Sequence, residues 1–217
     1  MKPFARIIML VSVISIESVF AESSTFDMFM KEAEDGNPLY QWNIGNFFAS
    51  GTGTQKDSTL AVKWYRKAAD QGYAPAQSSL GFMYASGDGV PRDSKEAVQW
   101  YIKAAEQGYA EGQLLLGGML AREDGVEVDE VRATNLYRKA AEQGSARGQF
   151  ILGFQYLQGQ GTIKDVVQAH VWFNLAAAQG DKLARNRLAA IELEMNAEQK
   201  AEAMKIAREI MGIPSSK

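Results

Sequence analysis

Apolar residues recur along this chain with the spacing of one helix face, and the whole pattern returns every 36 residues. In the copy that ends at Gly108, one amphipathic stretch runs from about Pro75 to Ser86 and a second from about Ser94 to Gln107. Glycines between the two stretches indicate a turn. A fixed period of this length is typical of solenoids, in which two-helix repeats stack on one another. The pattern therefore predicts an all-α solenoid.

The string Lys-Ala-Ala-(Asp/Glu)-Gln-Gly fixes the boundaries of the repeats. It ends at Gly72, Gly108 and Gly144, and a weaker copy ends at Gly180. We expect four repeats, at 37–72, 73–108, 109–144 and 145–180. We further expect an N-terminal half repeat at 22–36 and C-terminal capping helices with a tail at 181–217.

Positions that keep their residue type between copies predict the packed interior. The first helix of each repeat, helix A, keeps a glutamine, an aliphatic residue and a glycine, as in Gln77, Leu80 and Gly81. The second helix, helix B, keeps alanines beside large rings such as Trp100 and Tyr101. A mid-helix glycine costs about 1 kcal/mol relative to alanine. Its recurrence predicts that a neighbouring helix comes very close at that point.

The second copy, 73–108, also carries a family resemblance. It begins Ala74-Pro75-Ala76-Gln77, continues Leu80-Gly81-Phe82-Met83-Tyr84 and ends in Lys-Ala-Ala-Glu-Gln-Gly. This unit resembles the Sel-one-like repeat family, relatives of the tetratricopeptide repeats. The resemblance implies an α/α superhelical solenoid that acts as an adaptor or regulator through protein contacts. It also implies links to envelope signalling or host interaction, as in exported bacterial members. The third copy departs from the pattern at Glu123 and Leu136, so we expect local distortion there.

The first 21 residues have a different character. Lys2 and Arg6 precede a ten-residue apolar run, and Val19-Phe20-Ala21 supplies small residues where a signal peptidase cleaves. The run is shorter than the roughly 20 residues of a membrane-spanning helix. We therefore expect a signal peptide at 1–21 and export, to the periplasm rather than the medium, without stable membrane insertion afterwards. The chain has no cysteine, so packing alone must hold the exported protein together.

Charge and residue inventory narrow the chemistry. The formal net charge is −3, which disfavours nucleic-acid binding. A single histidine, His170, occupies a helix-B position that Val62, Val98 and Thr134 hold in the other copies, so we interpret it as a packing residue. Asp57 and its three counterparts begin each helix B and are expected to be N-caps rather than catalytic acids. The sequence thus predicts no catalytic, metal-binding or cofactor-binding residue and no cofactor.

The outer face of the A helices is apolar at several positions. In related helical-hairpin solenoids this is the concave side, so exposed rings here indicate a groove for a protein or peptide. The candidate partner-binding residues are Trp42, Asn46, Phe82, Leu115, Phe150 and Phe154. An alternative is that some positions on this face, such as Leu114 and Ile151, pack between consecutive A helices. The repeated helix-A glutamines are open to two interpretations as well, a clamp on a bound peptide or a structural hydrogen bond to the adjoining turn.

Together these features favour a monomeric, non-catalytic protein-binding adaptor or regulator of the bacterial cell envelope. Two alternatives stay open at this point. One is an enzyme acting on cell-wall or β-lactam chemistry, which the resemblance raises through cysteine-rich relatives whose cysteines this chain lacks. The other is a secreted protein that recognises a host surface.

Overall fold

The chain folds into a succession of helices joined by short turns. The computed structural model describes residues 25–122 and 124–212, and the expected signal peptide lies outside them. Within the described residues the structure has eleven helices and no strand. The helices are α1 (25–34), α2 (Pro38–Ser50), α3 (Ser58–Asp70), α4 (Ala74–Ser86), α5 (Ser94–Glu106), α6 (Ala110–Leu120), α7 (Glu130–Glu142), α8 (Ala146–Gln158), α9 (Val166–Ala178), α10 (Lys182–Glu192) and α11 (Ala197–Ile210).

Aspartates begin the B helices as predicted. The Oδ1 atom of Asp57 accepts a hydrogen bond from the backbone N–H of Leu60 at 2.9 Å, and Asp129 accepts one from Arg132 at the same distance. Each carboxylate satisfies a backbone donor that has no partner within its own helix. The glycine that closes each repeat has a positive φ, for example 86° at Gly72, which ends the helix in the left-handed conformation.

The mid-helix glycines lie against rings of the next helix, which confirms the predicted close approach. A Cβ atom added to Gly45 would lie 2.5 Å from Tyr65 ring carbons, far inside van der Waals contact. The same addition at Gly153 would lie 2.8 Å from a Phe173 ring carbon. Gly81 with Tyr101 and Gly117 with Tyr137 repeat the arrangement. In each repeat, the ring of helix B therefore packs directly on the glycine of helix A. We call this glycine–ring contact the seat.

The described residues divide between Lys103 and Ala104 into two compact units, which we call the N-terminal and C-terminal units. In the N-terminal unit, α3 packs against α2 and α4. Its core includes Leu80 and Trp100, of which only 0% and 5% are exposed, as the repeat pattern predicts. In the C-terminal unit α6 to α9 pack in consecutive pairs around a core that includes Leu152 and Phe173.

Two further helices follow the fourth repeat at the C-terminal end of the described residues. Helices α10 and α11 both pack against α9. Asn196 and Gln199 form a capping box at the start of α11, in which each side chain bonds the backbone N–H of the other residue. Ala184 and Ile191 of α10 are buried in the core of the C-terminal unit. No helix in the described parts of the chain has the length and apolar character needed to span a membrane.

The third repeat departs from the others where its sequence does. Helix α6 has 11 residues, whereas α2, α4 and α8 have 13. It ends at Ala121 with a φ of −78°, although Gly51, Gly87 and Gly159 end the other A helices in the left-handed conformation. The expected distortion of this turn is thus present as an earlier helix end. The side chain of Glu123 itself lies outside the described residues.

Candidate protein-binding surface

Charge is segregated between the two kinds of helix in the first two repeats. Helices α2 and α4 carry no charged residue, whereas α3 and α5 carry four each. Desolvating a charge without a partner is costly, so a neutral surface is easier to cover than a charged one. We call the outer side of α2 and α4, which includes Trp42, Asn46, Ser79 and Phe82, the α2–α4 face.

Trp42 is tied into the α2–α4 face by hydrogen bonding and ring packing. Its indole Nε1–H donates to the Ser79 hydroxyl at 3.0 Å, and that hydroxyl donates to the Pro75 carbonyl at 3.0 Å. The Trp42 ring meets the Tyr73 ring edge to face, with centroids 6.0 Å apart. Trp42 is half-buried and links two consecutive A helices. Part of its ring area therefore serves packing and the remainder faces outward.

Phe82 and Asn46 differ sharply in their surroundings. The Phe82 side chain is 55% exposed, among the large apolar residues that the fold leaves open to solvent. Asn46 is oriented from inside, because its Oδ1 accepts a hydrogen bond from the Tyr65 hydroxyl at 2.8 Å. Burial raises the pKa of Tyr65 from the ordinary 10.0 to about 12, so this phenol keeps its donor even at an alkaline pH that would ionise an exposed tyrosine. The Phe82 ring is thus largely open to solvent, whereas the Asn46 side chain is held in place by a hydrogen bond.

In the C-terminal unit the predicted rings are more enclosed. Phe150 and Phe154 are both half-buried and pack against the unit's core. The Phe150 ring lies 5.7 Å from the Phe173 ring, and the Arg187 guanidinium carbon lies 5.7 Å from the centre of the Phe154 ring. Leu115 is also half-buried. These contacts give Phe150 and Phe154 a packing role within the unit, alongside any exposed area that a partner would use.

Leu114 of α6 and Ile151 of α8 are the two positions for which packing was the alternative interpretation. Leu114 is only 3% exposed, which confirms the packing interpretation for that residue, while Ile151 is half-buried. At the edge of this surface Arg147 and Glu111 form an exposed ion pair with a nitrogen–oxygen distance of 2.9 Å. Such a pair adds little stability, but it cancels the charges that α6 and α8 bring to their outer side.

The helix-A glutamines make structural hydrogen bonds, as one of the two interpretations predicts. Gln149 is buried, and its Nε2 donates to the Ala141 carbonyl of the preceding helix B at 3.3 Å. Its Oε1 accepts from Gln179 Nε2 at 2.8 Å, and Gln179 also donates to the Gly144 carbonyl at 3.0 Å. The first repeat has the same pattern around Gln41. The amides are therefore occupied in holding consecutive helices together.

The second glutamine of each pair is a residue whose role the sequence left unassigned. Gln71 and Gln143 belong to the Lys-Ala-Ala-(Asp/Glu)-Gln-Gly string that ends the repeat, and Gln179 belongs to its weaker copy. Each donates to the buried glutamine of its own repeat, at 2.7 to 2.8 Å. The signal in the sequence was that this glutamine recurs every 36 residues. An exposed polar residue that made no contact would have no reason to recur.

The remaining polar candidates have structural surroundings. His170 is 1% exposed, and its Nε2 lies 3.0 Å from Glu192 Oε1 of α10, which confirms that it faces a neighbouring helix. The glycine-rich turns are inter-helix turns, in which Gly89 and Gly161 lie tightly on the backbone of Ser58 and Glu130 at the start of the preceding helix B. In the described residues no group of three or more His, Cys, Asp or Glu side chains is arranged to hold a metal ion.

Comparison with known proteins matches the two-helix repeats themselves. The family model for the Sel1 repeat matches residues 38–73, 74–109, 110–145 and 146–181. The chain belongs to the Sel1 repeat family. Sel1 repeats are generally protein-interaction scaffolds without catalytic activity, and the α/α solenoid expected from the sequence is the fold of this family.

Solved Sel1 repeat structures share this fold. A protective antigen present in uropathogenic Escherichia coli strains, which displays an SLR fold, is 34% identical with a TM-score of 0.74 over 92% of this chain. A Sel1 repeat protein from Oxalobacter formigenes is 32% identical with a TM-score of 0.75, over 87% of this chain and 79% of that one. The Helicobacter pylori cysteine-rich protein B is 26% identical with a TM-score of 0.50, over 61% and 96% of the two chains.

The Sel1 repeat array described here spans 44% of the length of the Escherichia coli antigen. No curated protein matches the chain.

Proposed function

We propose that this Sel1 repeat protein is a non-catalytic adaptor or regulator of the bacterial cell envelope that binds a partner protein through the outer faces of its A helices. The observation that carries the proposal is the α2–α4 face, which has no charged residue and holds the 55% exposed ring of Phe82. Exposed aromatic side chains on an otherwise polar protein are the usual anchors of protein interfaces.

The two compact units contribute differently to this proposal. On the α2–α4 face, Phe82 is the anchor and Trp42 supplies a partly covered ring beside it. In the C-terminal unit, Phe150 and Phe154 offer smaller exposed areas because their rings already pack internally, and Leu115 is half-buried. We therefore assign the larger share of binding energy to Phe82.

The envelope location rests on the amino-terminal sequence. Residues 1–21 have the basic start, the short apolar run and the small residues at the cleavage point of an export signal. Fractionation of cells that express the full chain, combined with mass spectrometry of the mature N-terminus, tests this part separately. A mature chain that still begins at Met1 and stays with the cytoplasm would contradict it.

Site-specific photo-crosslinking tests the binding surface. A probe at position 82 should trap a discrete partner, while a probe at Lys103 on the charged, exposed side of α5 serves as the matched control. Phe82→Ser should abolish the crosslinked partner's binding and leave the melting temperature nearly unchanged, since the ring is mainly in solvent. Equal crosslinking from both positions, or a large loss of stability in Phe82→Ser, would contradict the assignment.

A further inference from the structure

The turn between helix A and helix B has the same construction in three of the four repeats. A basic residue follows the first turn glycine and covers it: a Cβ built on Gly51 or Gly87 would lie 3.2 Å from the Cβ of Lys56 or Arg92. Lys164 covers Gly159 in the same way, at 3.3 Å. The third repeat has Val128 at this position, and 46% of it is exposed. The usual cation is thus replaced by an exposed apolar side chain.

The changed turn encloses a depression that we call the third-repeat pocket. It has a volume of about 430 Å³. Its lining residues are Leu120, Val126, Glu127, Val128, Asp129 and Arg132. Val131 stands next to it on α7 and is 61% exposed, although its counterpart Val167 in the fourth repeat is half-buried. Both valines stand where the first two repeats carry polar side chains, Lys56 and Arg92 in place of Val128 and Thr59 and Lys95 in place of Val131.

Charge around the third-repeat pocket is strongly one-sided. The segment from 124 to 133 holds Asp124, Glu127, Asp129 and Glu130 against Arg132, and Arg122 stands just before it. The matching segment of the fourth repeat, 160–169, holds one lysine and one aspartate. Glu127, Asp129 and Glu130 are all exposed. A partner segment would therefore meet valine side chains and an excess of carboxylates together, which favours cations beside an apolar side chain.

We infer that the third-repeat pocket is a second docking site, which takes a partner-protein segment that presents an apolar side chain flanked by lysine or arginine. Val126 and Val128 contact the apolar side chain, and the surrounding carboxylates pair with the flanking cations. The site is lined by Leu120 of α6, residues 126–129 and Arg132 of α7, so it is distinct from the A-helix faces. Complementary charge fixes the orientation and accelerates association.

A defined peptide panel on the full chain tests this inference. Three fluorescent peptides of equal length serve as probes: alternating lysine or arginine with leucine, the same cations with glycine, and alternating glutamate with leucine. Fluorescence anisotropy should show binding of the first peptide alone, and the affinity should fall as salt is added. Both cations and apolar residues are needed, because the pocket combines both features.

Matched substitutions locate the binding. Val128→Lys introduces the residue that the first and fourth repeats carry and should weaken the basic apolar peptide about tenfold or more. Glu127→Gln, which keeps shape and removes one charge, should reduce both the affinity and its salt dependence. Lys164→Val makes the reverse change in the fourth repeat and should leave the affinity unchanged.

Several results would overturn the inference. They are no binding of the basic apolar peptide, equal binding of the acidic peptide, or unchanged affinity in both Val128→Lys and Glu127→Gln with native helicity. Sedimentation of the wild type over a concentration series tests whether a second copy of this chain occupies the pocket instead. Self-association that Val128→Lys abolishes would assign the pocket to a second copy of this chain and so would also overturn it.

Discussion

The third and fourth repeats lie in the same compact unit and differ in an instructive way. Both keep the seat in which a helix-B ring lies on a helix-A glycine, Gly117 with Tyr137 and Gly153 with Phe173. Outside the seat they diverge. The fourth repeat has a 13-residue A helix that ends at a left-handed glycine, while the third has a shorter A helix and an apolar, acidic turn.

This contrast separates what the fold requires from what it permits. The seat fixes the distance between helices, and a single added methyl group would clash with the ring. The turn is exposed and bears little packing, so its length and composition can change without loss of the hairpin. A turn whose residues differ from those of the other repeats can therefore point to a binding role. The glycine and ring of the seat are kept in every repeat because packing requires them.

The largest effect should come from removing the tryptophan of the fourth repeat. Trp172 is 6% exposed, so Trp172→Ala should destabilise the protein by about 3 to 5 kcal/mol. Leu136 holds the same position in the third repeat but is half-buried, so Leu136→Ala should cost only about 1 to 2 kcal/mol. Chemical denaturation followed by circular dichroism measures both. Equal shifts of the two midpoints would break the comparison.

Two adjacent glycines of α6 give the next largest contrast. Gly117→Ala would place its Cβ 2.7 Å from the Tyr137 ring and should cost about 1 to 3 kcal/mol. For Gly118→Ala the nearest atoms are 3.8 Å away or more, so the gain in helix propensity should stabilise by up to about 1 kcal/mol. Thermal melts of the two variants should therefore shift in opposite directions. If both melting temperatures shifted in the same direction, the contact between Gly117 and the Tyr137 ring would not explain the effect.

A smaller effect is expected at the joint between the third and fourth repeats. The Thr134 hydroxyl donates to the Gln160 carbonyl at 3.0 Å, a bond that Val62 and Val98 in the first two repeats have no hydroxyl to make. Thr134→Val should cost about 0.5 to 1.5 kcal/mol. Hydrogen exchange should speed up at the turn that contains Gln160, with the first repeat as internal control. Unchanged exchange there would show that the bond does not hold the joint.

The smallest effect concerns pH, because the ring of the third-repeat seat is ionisable and that of the fourth is not. Burial raises the pKa of Tyr137 above its ordinary value of 10.0, against the opposing influence of Arg122 and Arg147. The folded state thus favours the neutral phenol, and the associated stability is present below pH 10 and lost as pH rises through the folded pKa. Tyr137→Phe should lose less stability than the wild type above pH 10. Parallel stability curves would contradict this.

Recurrence explains how much of this architecture the sequence reveals. The caps, the seats and the glutamines repeat at a fixed interval, and a feature that recurs in every copy has to serve the repeat itself. What the sequence leaves open depends on neighbours. Phe82 and Phe154 hold the same repeat position, yet Phe82 is exposed and Phe154 is half-buried, with the Arg187 guanidinium beside its ring. That difference arises from side chains that neighbouring helices supply, which the spacing within one repeat does not encode.

The glutamine bonds also bear on how such an array changes length during evolution. At the joints before the first, second and fourth repeats, a buried glutamine donates to a main-chain carbonyl of the helix before it, so recognition there depends little on which side chains that helix carries. Even α1, which precedes the four repeats, provides the Ala33 carbonyl for Gln41. Duplication or loss of a whole 36-residue segment would preserve this type of joint. The gene for such a protein can therefore gain or lose repeats in one recombination step, with no compensating mutation in its neighbours.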